Sequence, residues 1–420
     1  MKVAFVHSSS VRWDKTTHDR SKIRKALLPH NIQCMGYATT NLDKPFTRWH
    51  TDGKSYTIVF PCSIPILSKL ARKKGKSLFR KIIIALENLS YMLQILRRLP
   101  QDKVDVYLIL HLWDYEIPFL NLILRIFRPT IILWLGGSLR EYERLGRVYY
   151  IFVSAYLMSL RKSLTLVDLD LEQEYYLFKV LKLPRNKIIN FKEKRIDHKV
   201  FRRLDKNISA KKVGFDRGKT NIVMVSRVEK PEYIELHRDN EKNPFNILEV
   251  FRHLVEREPK MNLHVIGRGA GMKEFKRRVA QHGLQDKVKI YGWIENEQLP
   301  EYYSAADLTF YPAPLIVVND GQANRESLLC GTPVIYFKRY PWAKTEQPGG
   351  FFVDRDPEAA AQQILSRLNS TYLLEKRQEA ASIAHRYTLE AFGNHMTKIL
   401  KQLISISDGE RIPRKEKGKT

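Results

Sequence analysis

Short apolar runs of strand length alternate with amphipathic stretches of helix length along almost the whole chain. The predicted strands of the first half are 3–6, 57–60, 104–110, 130–135 and 164–167. The series restarts in the second half, with strands at 221–226, 263–266, 288–291, 308–311 and 334–337 and helices between them. A parallel sheet covered by helices on both faces has this alternation. The pattern therefore predicts an α/β protein of two doubly wound, Rossmann-like domains, with the ligand in a cleft between them.

The stretch 206–220 separates the two series, because it is polar and basic and lacks an apolar period. We interpret it as the linker between an N-terminal domain, 1–205, and a C-terminal domain, 221–384. Residues 385–406 are predicted to form a C-terminal helix that packs back on the N-terminal domain. The basic end of the chain, 407–420, cannot bury apolar surface and is predicted to be disordered.

The basic side chains are concentrated in the first half of the chain. The formal net charge is +27, and residues 1–210 hold 38 of the 72 Lys and Arg but only 18 of the 45 Asp and Glu. Such a field favours a polyanion, either nucleic acid or the anionic face of a membrane. The basic residues are mixed with long apolar runs and carry no nucleic-acid-binding motif, so we expect no nucleic acid partner. The alternative function of a different class is a basic nucleic-acid-binding protein on a Rossmann-like scaffold.

Two segments favour the membrane surface. Residues 69–98 join a basic cluster, 72–76, to the apolar stretch 79–96, and residues 148–160 are uncharged. Neither has the 18 or more apolar residues of a membrane-spanning helix, so each fits a helix lying on a bilayer, or alternatively a core helix with a solvated flank. We expect a cytoplasmic protein that is peripheral on the inner face of the cell membrane and binds its anionic surface.

The cysteines and the first residues are consistent with this location. The three cysteines are distant from each other and lack zinc-ligand spacing, so we expect no structural metal. The first apolar run is too short for a signal peptide.

One stretch of the second half predicts an anion site. Arg227 follows the first strand of that half, and Lys242 precedes a helix. Two cations and the free N–H groups of a helix N-terminus suit a diphosphate. The alternative is that both are ordinary solvated side chains.

Further motifs resemble a known family. The matching strings are Arg227 with Lys242, Gly292-Trp293 to Leu299-Pro300, Tyr303 to Asp307, Glu326 to Ile335 (ESLLCGTPVI) and Gly349 to Asp354, preceded by Ile196-Asp197-His198 with Phe201. In this order they resemble the group 1 glycosyltransferases, that is, glycosyltransferase family 4. The resemblance implies a GT-B fold and the transfer of a sugar from a nucleotide diphospho-sugar, with retention of anomeric configuration. It implies no obligatory metal and no cofactor.

The resemblance also implies site residues. Arg227 and Lys242 correspond to the basic pair that binds the phosphates, with Lys230 as the alternative because the insert between them is long. Glu326 corresponds to the carboxylate that accepts hydrogen bonds from the ribose hydroxyls, or complements the helix dipole. The family places another acid eight positions earlier, where this chain has Val318.

The carboxylate nearest to that position is Asp320, and Gly321 beside it would let backbone amides approach the sugar, although Asn-Asp-Gly is also an ordinary turn. We therefore assign catalytic roles to Arg227, Lys242, Glu326 and Asp320.

The remaining candidates lie at ends of predicted strands. Donor-binding candidates there are Ser9, Gly136, Gly137 and Gly267, and His111 is a candidate for the acceptor site. The segment 267–271 mimics part of a dinucleotide fingerprint but is not G-x-G-x-x-G, so NAD is rejected.

Together these features predict a retaining, hexosyltransferase-type enzyme acting on a glycan or lipid-linked acceptor, in cell-surface polysaccharide, lipopolysaccharide or glycolipid synthesis. A sugar-nucleotide hydrolase or epimerase of the same fold is the alternative.

Overall fold

The computed structural model describes most of the second half of the chain and parts of the first. The described residues are 1–6, 17–40, 46–49, 54–61, 93–98, 101–110, 130–135, 164–167, 174, 176–180, 182–191, 196–236, 242–315, 321–338 and 346–409. The chain divides into two compact units. The first comprises Met1–Glu193 and the chain from Phe392 onward, and the second comprises Lys194–Ala391.

The first unit contains an eight-stranded sheet. Its strands are β1 (Lys2–Val6), β2 (Gln33–Thr40), β3 (Phe46–Trp49), β4 (Tyr56–Pro61), β5 (Val106–Leu110), β6 (Thr130–Leu135), β7 (Leu164–Val167) and β8 (Ile188–Asn190). They lie in the order β3-β4-β2-β1-β5-β6-β7-β8, and the β3–β4 pair is antiparallel while the others are parallel. The first strand lies in the middle with β2 and β5 beside it, which is doubly wound topology.

The second unit contains a seven-stranded sheet of the same type. Its strands are β9 (Thr220–Val225), β10 (Met261–Ile266), β11 (Val288–Gly292), β12 (Leu308–Leu315), β13 (Val334–Lys338), β14 (Glu346–Gln347) and β15 (Gly350–Val353). The order is β11-β10-β9-β12-β13-β15-β14, with only the β14–β15 pair antiparallel. The chain winds outward from β9 in both directions, so the two Rossmann-like sheets predicted from the sequence are confirmed.

Helices cover these sheets. Among the described residues the α-helices are α1 (Thr17–Leu27), α2 (Lys206–Val213), α3 (Pro231–Leu236), α4 (Pro244–Arg257), α5 (Met272–Gln281), α6 (Leu299–Ala305), α7 (Gln322–Leu329), α8 (Pro357–Leu365), α9 (Ser370–Ala384) and α10 (Leu389–Gly409). Helix α4 shows why such stretches form: Asn243 caps it, Pro244 starts it, and Phe251 and Leu254 lie on an apolar face buried in the core of the second unit.

The predicted linker, 206–220, is wrong over its first part. Helix α2 occupies Lys206–Val213, Asp205 caps it by accepting a 2.8 Å hydrogen bond from the Ile208 N–H, and Gly214 ends it at φ +71°. Ala210 is buried in a core cluster of the second unit. The helix forms because both of its ends carry standard capping residues, although its exposed face is too polar to give an apolar period.

The residues of the C-terminal helix α10 are divided between the two units. Its first residues lie in the second unit, and the chain from Phe392 onward lies in the first. The Phe392 ring packs edge to face on Phe191 at 5.2 Å, and a Cβ on Gly393 would lie 2.2 Å from the Ala26 carbonyl oxygen of α1.

The disordered tail was predicted to start at residue 407, and this is wrong for 407–409. Helix α10, anchored by buried Met396, Ile399 and Leu400, continues to Gly409.

Both segments predicted to lie on a membrane fall outside the described residues, apart from 93–98. Within the described helices, none combines the length and the apolar character needed to span a bilayer.

Candidate functional site

A pocket of about 320 Å³ lies at the carboxyl ends of β9, β10 and β11, wholly within the second unit. In doubly wound sheets, ligands bind at this edge, next to the strand where the winding direction reverses. The lining residues come from the ends of these strands and the loops after them, from the segment before α4, from the start of α6 and from α7. They are Val225, Ser226, Arg227, Lys242, Ile266, Gly267, Arg268, Trp293, Ile294, Asn296, Leu299, Gln322, Ala323 and Glu326. Four of the residues predicted from the sequence are therefore brought together: Arg227, Lys242, Gly267 and Glu326.

Arg227 stands on the loop that follows β9. Its Nε lies 2.6 Å from Oε1 of Glu229, and its side chain is 61% exposed. The ion pair is formed at the Nε edge of the guanidinium, and the guanidinium is a planar fork suited to a phosphate. The structure thus places a strong anion-binding group at the mouth of the pocket.

The glycine-rich segment after β10 fixes the backbone beneath Arg227. A Cβ on Gly267, Gly269 or Gly271 would lie 1.9, 2.0 or 2.1 Å from the carbonyl oxygens of residues 226, 228 and 229, respectively. The Gly271 N–H also donates a 2.9 Å hydrogen bond to the Val228 carbonyl. Glycine is required at these positions because the two loops are packed backbone to backbone. This gives the segment a structural reason that is unrelated to dinucleotide binding.

Lys242 lines the pocket from the segment just before α4. Its ammonium is 5.6 Å from the centroid of the Tyr311 ring. The next residue, Asn243, accepts a 3.1 Å hydrogen bond from the Asn246 N–H and donates its own N–H to the Pro312 carbonyl at 3.0 Å. These contacts tie the start of α4 to β12 and hold Lys242 at the pocket. Lys230, the alternative considered from the sequence, is exposed and does not line this pocket.

Glu326 is only 4% exposed and lies one turn inside α7. Its Oε1 accepts a 2.6 Å hydrogen bond from the Gln322 side-chain amide, and its Oε2 accepts a 3.4 Å hydrogen bond from the Tyr303 hydroxyl. Burial and the neighbouring Glu326 carboxylate raise the pKa of Tyr303 well above its usual value, so this hydroxyl stays a donor. A carboxylate offers about four acceptor positions, so Glu326 has the capacity to accept hydroxyl groups of a ligand as well.

The position of Glu326 corrects one expectation. The alternative role for Glu326 was to complement the helix dipole, but α7 begins at Gln322 after Gly321, which has φ +100°. Glu326 therefore lies beyond the first turn, where a carboxylate complements the helix dipole less well. The residues of the first turn that line the pocket are Gln322 and Ala323, and the first N–H groups of a helix have no partner within the helix.

Three of the lining residues that sequence reasoning missed are Trp293, Arg268 and Gln322. Trp293 is 55% exposed, its ring carries the Arg268 guanidinium at 4.8 Å, and its indole N–H donates to Glu295 at 2.9 Å. Gln322 was also missed, although it directly contacts Glu326. The available signal for Trp293 was a large aromatic side chain directly after a strand. The signal for Arg268 was an arginine inside the glycine-rich segment.

The charges of the pocket are arranged for an anionic ligand that also carries hydroxyl groups. The cations are Arg227, Lys242 and Arg268, and Glu326 is the buried carboxylate. A diphosphate can bind the cations and the N-terminus of α7, while a diol can donate to the carboxylate. Over the described ranges, no group of three or more His, Cys, Asp or Glu side chains could hold a metal ion.

Several predicted residues lie outside the described residues. They are Ser9, His111, Gly136, Gly137, Val318 and Asp320. Gly321 is described, and its backbone crosses Tyr311 so closely that a Cβ would lie 2.2 Å from the Tyr311 hydroxyl oxygen.

Comparison with known protein families gives a match within the second unit. Residues 205–386 match the family described as glycosyl transferases group 1. This stretch contains every residue that lines the pocket.

Two curated relatives match parts of the chain. Mannosylfructose-phosphate synthase of Agrobacterium fabrum is 34% identical over 21% of this chain and 21% of its own length. Alpha-monoglucosyldiacylglycerol synthase of Streptococcus pneumoniae is 30% identical over 30% of this chain and 25% of its own length. The matched regions thus span about a quarter or less of these relatives.

Solved structures share the fold over nearly the whole chain. Anabaena HepE in complex with UDP and glucose has a TM-score of 0.63 with 13% identity, and the likeness covers 96% of this chain and 99% of that one. At this identity the likeness shows the fold alone, which is the two-domain GT-B fold.

Proposed function

From the match of residues 205–386 to the group 1 glycosyltransferases, we propose that the protein transfers a sugar from a nucleotide diphospho-sugar to a glycan or lipid-linked acceptor. The observation that carries the proposal is the convergence of Arg227, Lys242 and Glu326 on one pocket. These residues lie far apart in the sequence, on three different loops or helices. Their meeting at the carboxyl edge of the sheet supports a single site for a ligand with both phosphates and hydroxyls.

In this proposal the donor lies with its diphosphate against the cations. Arg227 and Lys242 bind the phosphate oxygens, and the N–H groups at the start of α7 add hydrogen bonds. Glu326 accepts hydrogen bonds from the two ribose hydroxyls, with its carboxylate oriented by Gln322 and Tyr303. Each hydrogen bond to a charged group contributes about 1.5 to 3 kcal/mol.

The same groups act on the leaving nucleoside diphosphate during transfer. Negative charge builds up on the diphosphate as the bond to the sugar breaks, and groups fixed in position beforehand stabilise that charge best. Arg227, Lys242 and the N-terminus of α7 supply positive charge in place of a divalent cation. Retention of configuration and independence from metal belong to this proposal and follow from the family resemblance.

For the acceptor we propose a glycan or lipid at the inner face of the cell membrane. A relative that matches part of the chain is named as a synthase of a glucosyldiacylglycerol, which is a lipid product. The excess of basic residues in 1–210 supports attraction to an anionic leaflet. The reaction would thus join a water-soluble donor to a substrate held at the bilayer surface.

The test is a binding screen of UDP- and GDP-sugars followed by mass analysis of products formed with lipid-linked acceptors. We expect one nucleotide-sugar to bind and its sugar to appear on an acceptor. The matched variants are Lys242→Ala in the pocket and Lys230→Ala outside it, and only the first should weaken donor binding. Donor turnover to free sugar or to an epimer, without any transfer product even when acceptors are supplied, would contradict the proposal and favour the alternative enzymes of this fold.

A further inference from the structure

Tyr311 lies next to Lys242, a residue of the pocket, without lining the pocket itself. It stands on β12, is 4% exposed, and contacts both Lys242 and Gly321. Lys242 supplies one of the proposed phosphate-binding cations, and Gly321 immediately precedes α7. A single buried ring therefore touches two parts of the site that come from separate segments of the chain.

The contact with Lys242 orders a flexible side chain. The ammonium lies 5.6 Å from the ring centroid, within the range of about 6 Å over which a cation is attracted to an aromatic face. A lysine has four rotatable bonds and loses about 2 kcal/mol of rotamer entropy when it is fixed. The ring of Tyr311 lowers that cost at the moment of binding, because the ammonium is already held near the pocket.

The contact with Gly321 sets the path of the chain into α7. Gly321 has φ +100°, and a Cβ there would lie 2.2 Å from the Tyr311 hydroxyl oxygen and 2.4 Å from the ring carbon that bears it. The ring thus occupies the space that any side chain at position 321 would need. Since Gln322 begins the helix directly afterward, the position of this ring limits where the first N–H groups of α7 can lie.

From these two contacts we infer that Tyr311 is a positioning residue for the donor diphosphate, acting through Lys242 and through the start of α7. The inference rests on the proposed function. It predicts that Tyr311 matters for the phosphates of the ligand and not for its nucleoside.

A structural role alone is the competing explanation. Tyr311 belongs to a small buried cluster and packs on Tyr336 with ring centroids 6.3 Å apart. Loss of the ring would then lower stability and weaken every ligand to the same extent. The neighbouring Phe310 offers a matched control, because it lies on the same strand and is 1% exposed. It belongs to a different, larger core cluster of the second unit.

The experiment compares affinities for a nucleoside diphosphate and for the same nucleoside without phosphates, by calorimetry and by NMR titration, in the full chain. Tyr311→Leu should weaken the affinity for the diphosphate about 3- to 10-fold, as expected for a cation–π contact and an ordered helix start. The affinity for the nucleoside should change by less than about 2-fold. Tyr311→Phe, which keeps the ring, should restore most of the diphosphate affinity. Phe310→Leu should lower Tm without changing the ratio of the two affinities.

Three results are distinguishable. Unchanged diphosphate affinity in Tyr311→Leu, or an equal loss for nucleoside and diphosphate, would overturn the inference. If Tyr311→Leu does not fold, Tyr311→Met refills the volume without an aromatic face and must give the same selective loss. Failure of the wild-type protein to bind any nucleoside diphosphate would instead refute the proposed function.

Discussion

The backbone of Gly267 packs directly on the carbonyl group of Ser226, so that a methyl group on Gly267 would lie 1.9 Å from that oxygen. Gly267 also has φ +137°, a conformation that residues with a side chain rarely adopt. The loop that carries Arg227 is therefore held in place by the glycine-rich segment after β10.

Gly267→Ala should consequently destabilise the second unit and weaken donor binding. We expect the free energy of unfolding to fall by about 2 to 4 kcal/mol, because backbone strain and a clash with another backbone add together. Thermal unfolding measures it, with Gly283→Ala as the control, since Gly283 has φ +66° and open space around it. Equal Tm values for the two variants would show that the loops do not need this close contact.

The buried His264 predicts an effect of pH on stability. The Asn221 amide donates to the carbonyls of Asp216 and Lys219, so its oxygen accepts from Nε2 of His264 at 2.9 Å, and Nδ1 accepts from the Tyr291 hydroxyl at 3.0 Å. This pattern fixes the neutral tautomer. Burial, with a smaller effect of Lys289, lowers the pKa of His264 from 6.5 to about 3.

The sign follows from proton binding. Between about pH 6.5 and pH 3 the unfolded chain binds a proton at His264 and the folded chain does not, so stability falls as the pH falls. The slope from this group approaches about 1.4 kcal/mol per pH unit. Denaturant unfolding of wild type and His264→Gln at pH 7, 6 and 5 measures it. The variant should be less stable at pH 7 and should lose less stability on acidification; parallel pH profiles would remove His264 as the cause.

Transfer should survive an excess of EDTA. The proposed site neutralises the diphosphate with Arg227, Lys242 and the N-terminus of α7, so chelation removes nothing that the reaction uses. Activity of the purified protein after chelation, with and without added magnesium or manganese, provides the measurement. Loss of transfer on chelation and its return with either cation would contradict this assignment.

Binding to membranes should depend on the basic cluster before the apolar stretch 79–96. The seven cations involved are Lys69, Arg72, Lys73, Lys74, Lys76, Arg80 and Lys81. Each basic residue near an anionic leaflet contributes about 1 kcal/mol, which salt screens. The protein should sediment with anionic but not zwitterionic vesicles, be partly released by high salt, and lose binding when all seven become Gln. Equal binding to both vesicle types would refute the electrostatic account, and tighter binding to nucleic acid would favour the rival function.

Much of the second unit could be predicted from the sequence because its strands are short, mostly apolar and bounded by polar residues. The strand 263–266, for example, is part of β10, which is buried at every position. Strand β2 was missed, since Gln33–Thr40 includes a glycine and several polar residues and its strand character depends on the neighbours β1 and β4. Propensity in strands reflects such packing more than the residues themselves.

Three of the four charged residues of the pocket were predicted, and residues that act through a contact were missed. Arg227, Lys242 and Glu326 could be named from their order in the chain. The sequence left Lys242 and Lys230 as alternatives, because only the tertiary structure shows which of them reaches the pocket. The roles of Gln322, Tyr303 and Tyr311 depend on distances across α6, α7 and β12, which no local pattern contains.

Glu326 is proposed to bind the ribose of a nucleotide diphospho-sugar, and calorimetric titration of Glu326→Ala tests this role. The titrants are the nucleoside diphosphate and its 2′-deoxy form, and Glu297→Ala, an exposed carboxylate outside the pocket, is the control. We expect the variant to bind the ribonucleotide more weakly by about 1.5 to 3 kcal/mol with its fold intact, and to discriminate less between the two nucleotides than wild type does. Wild-type affinity for the ribonucleotide in Glu326→Ala would contradict the account and remove Glu326 from the site.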